Sequence, residues 1–171
     1  MPTISFKRRL NTQPNFWKLN KTRYPPSPKA ILIWDGECEF CAYWISYWKK
    51  KFGADIEFHS FQTVYKQFPD INKREFLLAS HFIETDGTIY SGARSAFRSL
   101  YYAGKPKFLD RWYAKKAWFR QLSDNLYRLV SHNRPTFFKI SKYLFGSDPL
   151  SLKPFWAIYL FLIAYLMFSL I

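Results

Sequence analysis

Apolar and polar positions recur along the chain on two different periods, and each stretch predicts an element. Ala30–Trp34 is a short apolar run rich in β-formers that stops at Asp35-Gly36, a turn pair. Cys41, Ile45, Trp48 and Phe52, joined by Trp44, then recur at helical spacing. Lys49-Lys50-Lys51 suits the negative end of that helix, and Gly53 ends it. Ile56–Phe61 reads as a second strand, with Ile56, Phe58 and Ser60 alternating against Glu57, His59 and Phe61. A polar stretch follows, with a short helix around Asn72–Leu78. Ser80–Glu84 and Thr88–Tyr90 flank Thr85-Asp86-Gly87, a hairpin signal. Ser91-Gly92 opens a helix with Ala93, Ala96, Phe97 and Leu100 on one face, closing at Gly104. Residues 108–145 read as helical, basic and aromatic, with an interruption at Pro135.

The order β-α-β-(α)-β-β-α is that of an α/β thioredoxin-like sheet with flanking helices: a parallel βαβ unit, an antiparallel hairpin and a closing helix. In that fold reactive cysteines lie between the first strand and its helix, and the chain's only two cysteines, Cys38 and Cys41, lie there. C-x-x-C alone is a weak signal, but at a glycine turn between strand and helix it gains weight. The amides of a helix N-terminus favour a thiolate on the first cysteine. The second, one turn on, can attack the mixed disulfide and release the reduced client. This assigns Cys38 as nucleophile and Cys41 as resolving thiol, with no bound cofactor. Two rivals are a zinc site and a pair of inert buried thiols. A closed zinc site needs four ligands, and only His59, His81 and His132 stand beyond the pair, none at zinc-finger spacing. The histidines read instead as ordinary surface or hairpin residues.

The heptapeptide Asp35-Gly36-Glu37-Cys38-Glu39-Phe40-Cys41 resembles the Asp-x-x-Cys-x-x-Cys signature of the DCC family of predicted thiol-disulfide oxidoreductases. The hairpin Phe82–Tyr90 with Ser91-Gly92-Ala93-Arg94-Ser95-Ala96 is similar to that family's strand–turn–strand and Ser/Ala helix. Leu126–Arg134 followed by Phe145-Gly146 resembles its Tyr-Arg…Asn-Arg…Phe-Gly block. The likeness spans residues 30–146 and implies a thioredoxin-like fold and disulfide exchange with protein or small-molecule clients. Many relatives carry Pro after the first cysteine, where this chain has Glu39. Asp35, Glu37 and Glu39 together disfavour a thiolate, which predicts a reducing couple. No proline precedes the hairpin strand at Ala79-Ser80, where thioredoxins hold substrate backbone on a cis-proline. Asp35 has two readings: a carboxylate that accepts or relays the proton of Cys41, or a side-chain cap on the turn. Asn133 and Arg134 read as anchors of the terminal helix, outside the chemistry.

Charge changes the picture at both ends of the 171-residue chain. The net charge is +14, which calls for an acidic partner surface. Residues 1–29 form a basic arm with seven Lys and Arg, no acid, and a stiff Pro25-Pro26-Ser27-Pro28 spacer, without the apolar run of a signal peptide. Residues 30–146 are the expected domain. Residues 154–171, PFWAIYLFLIAYLMFSLI, carry no charge and predict a transmembrane tail helix. Lys153 and Trp156 mark its interfacial end, and the excess of Lys and Arg places the domain on the cytoplasmic side. Residues 105–143, a basic helical extension with ten Lys and Arg and only Asp110 and Asp124, suit an anionic membrane surface. No nucleic-acid module accompanies them, so nucleic acid ranks last among the partners. A membrane-tethered disulfide reductase is the leading expectation. A non-enzymatic membrane adaptor with a thioredoxin-like shell is the alternative.

Overall fold

The computed structural model describes residues 19–52, 54–104 and 107–169. The first 18 residues of the basic arm, the helix-ending Gly53 and the last two residues of the apolar tail lie outside the described residues.

Strand β1 (Ile31–Trp34) runs at the centre of a four-stranded sheet of order β2-β1-β3-β4. Helix α1 (Glu39–Phe52) returns the chain so that β2 (Glu57–Ser60) pairs parallel with β1, Leu32 opposite Phe58. A parallel neighbour requires such a crossover, and the helical spacing of residues 41–52 supplies it. On the other side β3 (His81–Ile83) pairs antiparallel with β1, and β4 (Ile89–Ser91) pairs with β3. Because side chains alternate across a strand, β1 feeds two cores. Ile31 and Ile33 join Phe61, Phe68, Phe76 and Ile83 on one face, while Leu32 joins Ile45, Ile56, Phe58 and Phe82 on the other.

Several elements depart from the sequence reading. Strand β2 ends at Ser60, and Phe61 opens a short helix, α2 (Phe61–Val64), that turns its ring into the first core. A 3-10 turn (Tyr65–Gln67) and α3 (Lys73–Leu78), capped by the Asn72 side chain on the Arg74 amide, lead to β3. His81 stands in the hairpin but is 2% exposed, beneath the Phe76 ring, so it is a core residue. Burial pushes its pKa down to about 4. The hairpin turns at Asp86-Gly87 as expected. The chain before β1 adds to its edge: the Thr22 amide donates to the Gly87 carbonyl and the Ile89 amide to that of Asn20. Gly87 holds a φ of +87°, and a Cβ there would meet the Thr22 carbonyl oxygen at 2.6 Å. Thr22 and the Arg23 amide also bind the Asp70 carboxylate, so residues 20–23 of the arm are tied to the domain.

Helix α4 (Ala93–Tyr102) follows the hairpin. The basic extension is three helices, α5 (Phe108–Lys115), α6 (Ala117–His132) and α7 (Arg134–Phe145). Pro135 does not interrupt a helix; it occupies the first turn of α7, where its missing N–H costs nothing, and the break falls at Asn133. Helix α7 lies against α1. The Tyr43 hydroxyl donates to the Gly146 carbonyl at 2.7 Å, the Trp44 indole to the Ser141 hydroxyl at 3.2 Å, and Tyr43 meets Phe138 edge-on.

The apolar tail forms α8 (Phe155–Ser169), touching α7 through a Tyr143–Tyr159 ring stack. The expected transmembrane pass is corrected here. Fifteen residues of helix rise about 22 Å against a hydrocarbon core of about 30 Å. Among the described residues no helix is long and apolar enough to cross a membrane. Upstream of it, Pro154 marks the start of the helix and the Lys153 amide is turned back onto the Phe145 carbonyl.

Candidate active site

The corner between β1 and α1 carries the cysteines. Strand β1 ends at Trp34, and the Cys38 amide closes the turn on the Asp35 carbonyl at 3.1 Å. Cys38 stands at the cap of α1, its carbonyl accepting the Ala42 amide and its sulfur accepting the Cys41 amide at 3.2 Å. A sulfur at this position occupies the place of a capping oxygen, and the amides around it favour negative charge. Both cysteines are free thiols and partly buried.

Their acidities are driven apart. A hydrogen bond from the Cys41 thiol is the main influence holding Cys38 down, to about 6, against the opposing effect of burial. The Cys41 amide and the Arg134 guanidinium act in the same direction, and Asp35 opposes them. The Cys41 thiol is pushed well above the ordinary range by that same hydrogen bond, by burial, and by the neighbouring sulfur. The expectation that the acids of the motif would suppress the Cys38 thiolate is therefore corrected. The hydrogen bond from Cys41 outweighs Asp35, and Glu37 and Glu39 are not among the main influences on either thiol.

Asp35 is held from three directions. One carboxylate oxygen accepts the Glu37 amide at 3.2 Å and the Gln62 side-chain amide at 3.0 Å. The other accepts the Arg134 guanidinium at 3.1 Å. Gln62 also accepts the Gly36 amide at 3.0 Å, so α2 clasps the turn through one side chain. Every hydrogen bond that Asp35 makes among the described residues goes to turn, α2 or α7, which is the capping geometry, and none goes to a thiol.

Arg134, read as a simple anchor of the terminal helix, also belongs to the thiol site. It starts α7, pairs with Asp35, reaches the Leu77 carbonyl, and favours the anionic form of both sulfurs. Packing of α7 on α1 through Tyr43 and Trp44 brings it there. Gln62 carried no signal in the sequence, and Tyr127 stood there only as part of the Tyr-Arg block, with no role attached. The hydroxyl of the half-buried Tyr127 accepts the Ser80 amide at 2.9 Å, just before β3. Ser80 in turn shares a hydrogen bond with Ser95. The backbone donor before β3 is thus satisfied within the protein.

A groove of about 340 Å³ opens beside the nucleophile. Glu37, Glu39 and Arg134 line it with charge, Phe40, Pro135 and Phe138 with apolar surface. Cys38 lines this groove and Cys41 does not, although both are half-buried. The histidines are elsewhere: His59 bonds Glu57, and His132 bonds the Arg128 carbonyl. Among the described residues no three His, Cys, Asp or Glu side chains come together as a metal site.

Comparison with known proteins follows the same line. The family model described as DCC1-like thiol-disulfide oxidoreductase matches residues 32–140, well over half of the chain. No curated protein and no solved structure matches it.

Proposed function

Because the chain belongs to the DCC1-like thiol-disulfide oxidoreductase family, we propose that Cys38 and Cys41 exchange disulfides with clients; in the reducing direction, Cys38 attacks and Cys41 resolves. The observation that carries this reading is the split between the two thiols: Cys38 lines a groove and is held near 6, while Cys41 stands outside its lining and is held protonated. At neutral pH Cys38 is a thiolate. It attacks one client sulfur, forming a Cys38–client disulfide, and the other client sulfur leaves as a thiolate that takes a proton from water. Cys41 then gives up its proton and attacks Cys38, closing the Cys38–Cys41 disulfide and releasing the second client thiol. Two electrons pass from the dithiol to the client, and a thiol reductant in the surroundings restores the pair.

Asp35 serves this chemistry as a positioning residue. It fixes the turn through Glu37 and Gln62 and holds Arg134 beside the sulfurs. As Cys41 loses its proton, Arg134 favours the charge that forms. Helix α8, apolar on every exposed face, fits a tether bedded in the apolar part of a lipid layer without crossing it.

The test is a trap. Purified Cys41→Ser protein, mixed with cell extract, is expected to accumulate mixed disulfides at Cys38 that mass spectrometry identifies, while Cys38→Ser gives none. Wild-type protein that exchanges with no disulfide, and a Cys41→Ser variant that traps nothing, would refute the reading.

A further inference from the structure

The corner between α5 and α6 exposes aromatic rings that a folded domain ordinarily covers. Trp112 is 44% exposed and Trp118 is 59% exposed, with Phe108 beside them. The rings lean on one another, Phe108 on Trp112 at 5.4 Å and Trp112 on Trp118 at 6.3 Å, and both indoles lean on the half-buried Phe119. From Trp118 the exposed apolar surface continues along α6 through Leu122, Leu126 and Leu129, at intervals of four, four and three residues. That interval keeps them on one side of the helix. An apolar stripe of this extent marks an interaction surface.

Its charge decides what it meets. Lys107, Arg111, Lys115 and Lys116 are exposed around the ring cluster, and none takes part in an ion pair among the described residues. The two acids of the segment are both engaged elsewhere. Asp110 is buried against Arg98 at 3.0 Å, and Asp124 accepts the Tyr113 hydroxyl at 2.8 Å. The outward face is therefore cationic and apolar together, with indoles at the boundary between the two.

We propose that the α5–α6 corner and the outer stripe of α6 dock on an anionic lipid surface. The indoles of Trp112 and Trp118 lie at headgroup depth, where an apolar ring with one polar N–H is best accommodated. The four cations meet lipid phosphates and carboxylates, and the leucine stripe of α6 enters the acyl boundary. The apolar leucine stripe that continues from the rings offers a nucleic-acid strand nothing to contact but suits acyl chains, which favours lipid over single-stranded nucleic acid. Helix α8, exposed and apolar in the same chain, calls for the same phase.

The experiment partitions the full chain into phosphatidylcholine vesicles and into vesicles with roughly a third phosphatidylserine. Helix α8 contributes alike to both, so the ratio of the two partition coefficients isolates the cationic face. The ratio is expected to exceed about tenfold at low salt and to fall towards one in Lys107→Gln/Arg111→Gln/Lys115→Gln/Lys116→Gln. Trp112→Ala/Trp118→Ala is expected to lower partition into both vesicles about fivefold or more. These side chains are exposed, so the Cys38 alkylation rate stays that of wild type and reports an intact fold. A ratio unchanged in the quadruple variant overturns the proposal. So does a quadruple variant that loses binding to a single-stranded oligonucleotide while its vesicle ratio stays that of wild type.

Discussion

The hydrogen bond from Cys41 to the Cys38 sulfur is the interaction whose removal tests the site most directly. In Cys41→Ala the thiol donor disappears, while the backbone amide that bonds the same sulfur remains. A hydrogen bond to a charged group contributes about 1.5–3 kcal/mol, equivalent to roughly one to two pKa units. Cys38 is therefore expected to rise from about 6 to about 7–8. At pH 7 a thiol of pKa about 6 is about nine-tenths thiolate, whereas one at 7–8 is between about a half and a tenth. The iodoacetamide rate at pH 7 is thus expected to drop about two- to tenfold, with little change at pH 9.5, where both proteins are ionised. Cys41→Ser, which keeps an O–H donor, is expected to restore much of the acidity. An apparent pKa that stays near 6 in Cys41→Ala would refute the reasoning and assign the acidity to the helix terminus and Arg134.

Three further outcomes are expected. Arg134→Gln removes a cation that favours both thiolates, so the pH profile of disulfide reduction moves alkaline by up to about one unit; Arg134→Lys restores part of the shift, and an unmoved profile excludes the role. Burial holds the folded His81 pKa at about 4, below the ordinary value of 6.5, so the unfolded chain binds the proton first as pH falls. Stability from this group is intact above pH 6.5 and is lost by about 3 kcal/mol towards pH 4, and urea titrations should show that part of the loss missing from His81→Leu. Gly87→Ala places a Cβ at positive φ and 2.6 Å from the Thr22 carbonyl. Chemical denaturation should report a loss of about 1–2 kcal/mol or more.

The elements legible in the sequence are those whose signals are local. Asp86-Gly87 announced the hairpin, and the recurrence of Ile45 and Trp48 announced the crossover helix that sets Cys38 and Cys41 at a strand-to-helix corner. Phe61 was misplaced because an aromatic after an alternating run extends the pattern equally well as strand or as helix start; core packing under Phe76 decided for the helix. Pro135 misled because the same ring that breaks a helix interior favours its first turn. The acid-rich motif suggested a suppressed thiolate, since charges can be counted in a sequence while the donor aimed at a sulfur cannot. Arg134 and Asp35 are 99 residues apart, and no spacing rule connects them. Their meeting is made by α7 docking on α1, which depends on Tyr43, Trp44 and Ser141 acting together.

The pairing of Arg134 with Asp35 also has a temporal side. A ribosome delivers the dithiol early and its countercharge late, with the groove walls Pro135 and Phe138 arriving later still. Until then no guanidinium offsets Asp35 beside the sulfurs, and the groove lacks the walls that α7 supplies. The thiol site is thus complete only when α7 has docked, since one helix brings both the countercharge and the groove wall.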